Sequence, residues 1–238
     1  MSAGFQAWTD TGLVTIDGST PCFGLRVHQV ITSSNQSIAW GGGAASVFYM
    51  TVPIASITFT AAAPVVAFYS PSTYCQMIAL KNNGGNSWTA QFWTQSVASI
   101  EVYVFDQTNQ FAGSNYGLQV FDGSGQLIAD ATAPFLKPMG FISGNIFGST
   151  GNSFITHGYS SPNYQSWAIA SAKCATAAPL AASAIGNYIW LDGWSHSGGT
   201  ATHGWFQLAK QGSGNDNNLT AFVSEVDWSG LLIDVANF

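Results

Sequence analysis

Short apolar runs, several of them alternating with polar residues and separated by Gly, Asn and Ser, extend along most of the chain. A period of two predicts β-strands. Ile100-Glu101-Val102-Tyr103-Val104-Phe105 alternates cleanly, and Val65 to Tyr69, Tyr74 to Leu80 and Trp88 to Thr94 read as further strands. Asn82-Asn83-Gly84-Gly85-Asn86 is a strong loop signal between two such runs. Ser33-Ser34-Asn35-Gln36 marks a turn and Gly41-Gly42-Gly43 a break. Ser46 to Phe59 is β-prone but contains Pro53, which predicts two strands or an edge strand.

One stretch occurs twice. Gly4 to Asp17 returns as Gly117 to Asp130 with a constant shift, since 117 − 4, 125 − 12 and 130 − 17 are each 113, and Pro21 returns as Pro134. Each copy is two apolar runs joined by a Gly-containing turn, the pattern of a β-hairpin. Trp8 and its counterpart Phe121 are expected in the core. Further on, Asn83-Gly84-Gly85 matches Ser197-Gly198-Gly199, and Ala63-Pro64 matches Ala178-Pro179, at slightly larger shifts that imply loop insertions. Gln211 to Asn218 is the largest of these. The correspondence also makes the alanine-rich Trp167 to Ala184 a strand region rather than a helix. The expected class is all-β: two tandem, related β-sandwich-like domains from an internal duplication, residues 1–113 and 114–238, each with about seven or eight short strands.

Composition sharpens this picture. Apolar residues make up 47% and charged residues 7% of 238 positions, unlike the charge-rich profile of disordered chains. The five basic residues, Arg26, Lys81, Lys137, Lys173 and Lys210, are scattered, so no cationic face is expected for nucleic acid. A surface so poor in charge suits a protein that buries much of itself against other subunits. No apolar run approaches the roughly 18 residues of a membrane-spanning helix. Nor does a basic and apolar leader open the sequence, so synthesis in a cytoplasm without membrane insertion is expected. Cys22, Cys75 and Cys174 are odd in number and read as buried thiols rather than a disulfide frame.

Candidate chemistry is sparse. Glu101, Glu225 and the aspartates include no clear hydrolytic pair, because Asp10, Asp106, Asp122 and Asp227 sit where turns are expected and a turn aspartate bonds its own backbone. Gly193-Trp194-Ser195-His196-Ser197 comes within one residue of a nucleophile elbow, yet no helix follows and a hairpin tip is the better reading. His196 and His203 flank that loop and could face one another as metal ligands do, but without a neighbouring carboxylate or thiolate a surface or interface role is expected. His28 and His157 stand alone. No catalytic residue, cofactor or metal site is therefore expected, and the chain reads as a non-enzyme. Trp88, Trp194 and Trp205 border the longest hairpin loops among Asn, Ser, Gly and His. A tryptophan in a β-protein is most often a core residue, and that reading stands first for these three; with His196 and His203 they are also the candidates for contact with a partner or a glycan.

The opening Met1-Ser2-Ala3-Gly4-Phe5-Gln6-Ala7-Trp8, running into Gly12 and Ile16-Asp17, resembles the start of small structural proteins of tailed bacteriophages. These read M-S-x-G, an alternating run ending in an aromatic, D/N-x-x-G, then an aliphatic pair and D. Tyr116 to Ile128 is similar to that pattern and closer still, carrying Asp122 where the first copy has Thr9. The resemblance implies a structural virion protein of the tail, baseplate or fibre region. Such a protein is located in the virion, forms homo-oligomers and binds other virion proteins. It implies no catalytic residues. The alternative reading is a lectin-like carbohydrate-binding or host-receptor-binding protein for a surface glycan.

Overall fold

A computed structural model describes residues 7–8, 14–16, 21–40, 48–110, 117–145, 157–160, 167–173, 176–177, 188–197, 200–210, 223–225, 227–236 and 238. Strands β1 (Ala7–Trp8) and β2 (Val14–Ile16) form the first hairpin. Then come β3 (Phe23–Thr32), β4 (Ser34–Trp40), β5 (Phe48–Thr60), β6 (Val65–Tyr69), β7 (Cys75–Gly84), β8 (Ser87–Thr94) and β9 (Ser99–Gln107). A 3-10 turn at Thr108–Gln110 closes this run. The second hairpin is β10 (Gln119–Phe121) with β11 (Leu127–Asp130). It leads to β12 (Lys137–Asn145), β13 (His157–Ser160), β14 (Trp167–Lys173) and β15 (Thr176–Ala177). The last strands are β16 (Tyr188–Ser197), β17 (Thr200–Lys210), β18 (Val223–Glu225) and β19 (Asp227–Asp234). The fold is all-β, and every pairing among the described residues is antiparallel. No described helix is long and apolar enough to cross a membrane.

Two sheets carry the structure. One has the order β12-β19-β14-β6-β9-β3, the other β13-β17-β16-β7-β8-β5-β4 with β15 and β18 attached. In each, strands from residues 1–113 occupy one side and strands from 114–238 the other. The sides meet through single bridges, Phe68 to Ile169 in the first sheet and Cys75 to Trp194 in the second. One core fills the space between the sheets, drawing Phe68, Phe92 and Val102 from one stretch and Trp167, Ile169, Trp194 and Trp228 from the other. The boundary at 113/114 therefore runs through a shared core.

The two hairpins have the same register. Ala7 faces Ile16 and Trp8 faces Val14, while Val120 faces Ala129 and Phe121 faces Leu127, with an irregularity at the same step. That step places an extra residue against one strand, which twists a short hairpin and fixes its direction. Asp122 holds the second turn by accepting from the Ser124 and Gln126 amides through Oδ1. Phe121 departs from its expected core position. It is 52% exposed, because the hairpin buries Ile128 and Ala129 instead, against Cys22.

The first sheet also has a dry second face. The segment before β12 returns to the edge strand β3, with Leu25 N–H donating to Pro134 C=O at 2.7 Å and Leu136 N–H to Phe23 C=O at 2.8 Å. The sheet thus curls so that its two edges are tied together. Inside the curl lie Ala67, Tyr103, Phe105, Ala168, Ala170 and Ile233, with the Phe238 ring 5.8 Å from that of Phe105.

The chain crosses between sheets at points where side chains satisfy the backbone. Ser33, expected within a turn, is the lone residue between β3 and β4, which belong to different sheets. Its Oγ receives the Ala98 amide and the Thr94 hydroxyl, so a buried corner needs no loop. The next crossing is held by Asp106, whose carboxylate accepts the Ala62 and Ala63 amides at 2.9 Å each. Pro53 does not divide its run either: β5 continues from Phe48 to Thr60. Pairing with β8 begins at Ile54, so the missing N–H of Pro53 faces a side with no ladder to complete. The Asn82–Asn86 signal narrows to Gly85-Asn86, with Gly84 and Gly85 at φ +118° and +59°. Of the strand region expected from Trp167 to Ala184, Trp167–Lys173 and Thr176–Ala177 are strands, and residues 178–184 lie outside the described residues. The Gly41–Gly43 break and Gln211–Asn218 lie outside the described residues.

Gly193, in the middle of β16, is required by its neighbours. A Cβ there would lie 2.5 Å from Phe206 Cε1 and 2.9 Å from the Cys75 carbonyl oxygen, and Phe206 is fully buried. Gly193→Ala is expected to cost about 1–3 kcal/mol through overpacking. Urea unfolding measures this, with Gly123→Ala, which meets nothing within 4 Å, as the neutral comparison.

Candidate functional site

The candidates of the β16–β17 hairpin turn inward. Asp192, Trp194 and His196 alternate along β16 and so share a face. Trp194 lies opposite His203 of β17. Trp194, His196 and His203 are 1%, 2% and 1% exposed. As placed, none of the three is available to a glycan or a partner, which corrects the surface expectation for the histidines. The physical reason is the local pairing: β16 lies between β17 and β7, so the side chains of this hairpin are roofed by the opposite sheet. The near-elbow Gly193 to Ser197 is continuous strand, and the hairpin tip lies beyond it.

His203 and His196 do not form a pair. His203 Nε2 is 3.0 Å from Asp192 Oδ2, and its ring lies 4.5 Å from Trp194 and 4.1 Å from Trp228. This is a buried imidazole–carboxylate unit between indoles. His196 is bound differently, its Nδ1 accepting the Ser70 amide at 3.0 Å while its own amide donates to Ser70 C=O at 2.7 Å. Burial pushes its pKa down to about 4, so the ring is neutral at pH 7. Among the described residues no group of three His, Cys, Asp or Glu side chains is arranged to hold a metal ion.

Trp88 is half-buried and donates its Nε1–H to Ala61 C=O at 2.9 Å, which ties β8 to the end of β5. Trp205 lies on β17 opposite Asp192, and its side chain is outside the described residues. Among the described residues, Asp192 Oδ1, His196 Nε2 and Gln76 Oε1 are buried polar atoms without a hydrogen-bond partner. Gln76 spans the core to donate to Ser171 Oγ at 2.9 Å. Cys22 and Cys75 are buried thiols, and burial holds the Cys75 thiol well above the usual range. Cys174 is outside the described residues.

A second cluster escaped the sequence reading. His28, taken as isolated, lies opposite Tyr103 in register and stacks on it at 4.4 Å and 13°. Tyr103 O–H donates to Glu101 Oε2 at 2.7 Å, and His28 Nε2 is 3.3 Å from the same oxygen. Burial, and then the bond to Glu101, raise the Tyr103 pKa, so this phenol stays protonated. About a third of the His28 and Glu101 side chains remains exposed. The signal was the period of two that set Glu101 and Tyr103 on one face, but pairing with β3 supplied the histidine. Asp122, Asp130 and Asp234 behave as turn residues do, each accepting a backbone amide two residues ahead. Asp106, expected in a turn, is instead buried in β9 and accepts amides from the distant Ala62 and Ala63, Asp227 begins β19, and Asp10 lies outside the described residues.

Compared with protein-family models, with characterised protein sequences and with solved structures, the chain matches none.

Proposed function

We propose that the protein is a non-enzymatic structural component of a tailed-phage virion, of the tail, baseplate or fibre region. It is made in the host cytoplasm and assembles with copies of itself and with other virion proteins. The observation that carries this reading is where the aromatic and histidine side chains of the β16–β17 hairpin go: they join two sheets across a shared core. Side chains deployed in this way give a durable module, and its contacts then fall to polar loops and sheet faces. The opening stretch and its second copy, which fold with one register, support the phage resemblance and an origin by tandem duplication. The low charge suits a surface covered by neighbours.

Light scattering of the full chain is expected to give a discrete oligomer of the 25.1 kDa protomer, with no saturable binding to arrayed glycans. A strict monomer at the highest attainable concentration, together with glycan binding, would overturn this in favour of the carbohydrate-binding alternative. That binding would then have to use a surface other than the Trp194–His203 face.

A further inference from the structure

The junction of the two strand sets in the second sheet is thin in backbone pairing: β16 meets β7 through the single Trp194–Cys75 bridge. His196 lies two residues further along β16 and grips the crossing between β6 and β7 by both of its Ser70 hydrogen bonds. The Ser70 amide points at Nδ1, so the proton of the neutral ring sits on Nε2, which has no partner. The ring is enclosed by Tyr69 of β6 at 4.7 Å and Trp167 of β14 at 5.4 Å. A second proton would need Nδ1, where it would meet the Ser70 N–H head-on, and would leave an imidazolium with no carboxylate against it among the described residues.

The charged and titratable groups on the surrounding elements do not relieve that charge. On its own strand, Asp192 is engaged with His203 of β17. On β6 the neighbour is the Tyr69 phenol, and beyond it Glu101 of β9 binds Tyr103 and His28. On β7 the nearest titratable group is the Cys75 thiol, and Lys173 lies toward the other end of β14 from Trp167. No charged group contributes to the His196 shift.

We propose that His196 is an acid-labile latch: its neutral ring holds β16 to the β6–β7 crossing, and its protonation releases that strand and bares Cys75. The sign follows from the two proton affinities. The closed ring titrates near 4 and a released ring near its ordinary 6.5, so the open form binds the proton first. The latch is fully held above about pH 6.5 and loosens as pH falls from there towards 4. At about pH 5 the opening equilibrium rises nearly thirtyfold over its value at about pH 7.5.

The test labels the full chain with 4,4′-dithiodipyridine, which reacts with thiols in acid, at about pH 7.5 and pH 5. Rates are scaled to a free thiol at each pH, and Cys75 is identified by peptide mass. The expected result is a Cys75 rate about thirtyfold faster at the lower pH with unchanged far-UV circular dichroism. His196→Asn, whose Oδ1 can take the Ser70 amide but cannot gain a proton, is expected to show no such rise. A wild-type rate that does not change, or an equal rise in His196→Asn, overturns the proposal. Imidazole ¹H–¹⁵N spectra of the unmutated chain add an independent reading. A His196 ring locked as the Nε2–H tautomer down to about pH 5 is expected, and a ring titrating near 6.5 in the closed protein overturns it.

Discussion

Truncating Trp194 to alanine is expected to destabilise the protein by about 3–5 kcal/mol, among the largest losses any single residue here can cause. Its indole is 1% exposed and meets Trp228 edge-on at 5.5 Å and His203 at 4.5 Å. It also lies at the one bridge between β16 and β7, so few neighbouring ladder bonds are placed to draw the walls together around the void. For a chain of this length the loss corresponds to a fall in Tm of about 6–20 °C. Chemical denaturation followed by circular dichroism measures it, with Phe121→Ala as comparison. Phe121 is half exposed, so its truncation should change stability little. Equal losses at both positions would contradict the inward orientation of the hairpin.

Removing the Asp192 carboxylate is the second large effect, about 3 kcal/mol for Asp192→Ala. Both Asp192 and His203 are buried, and the 3.0 Å contact between them is what lets this polar pair sit among indoles. Alanine leaves the imidazole buried without its carboxylate and opens space beside it. Asp192→Asn keeps the shape and one acceptor oxygen, and should recover much of the loss. If Asn and Ala behave alike in a denaturation experiment, the hydrogen bond contributes little and packing explains the whole effect. Asp122, exposed and serving only its own turn, is the natural control, and its replacement should cost far less.

The strands were legible because alternation survives wherever one face of a sheet meets the core. Ile100 to Phe105 and both Gly-containing hairpins fall where their patterns put them. Two breaks misled for opposite reasons. Pro53 looks like an interruption, but it faces the unpaired side of β5; Ser33 looks like a turn, but its side chain supplies the bonds a loop would otherwise give. The orientation of β16 was not legible, because residues 191–194 are buried on both faces, and a strand dry on both sides has no amphipathic pattern to read. Tryptophan and histidine next to serine and glycine then looked like a contact loop. The His28–Glu101–Tyr103 cluster was hidden for another reason. Its members lie 73 residues apart in sequence, and only the pairing of β3 with β9 joins them.

The way the strand sets meet has a consequence for any attempt to divide the chain. β6 abuts β14 and β7 abuts β16, in both cases antiparallel and through a single bridge. Residues 1–113 expressed alone would keep most of their own ladders yet bare β6 and β7 as raw edges, with Phe68 and Cys75 losing their cover. Such edges template association. The isolated fragment should therefore pair with itself through the surfaces that the second stretch now occupies, and supplying residues 114–238 in trans should compete with that self-association.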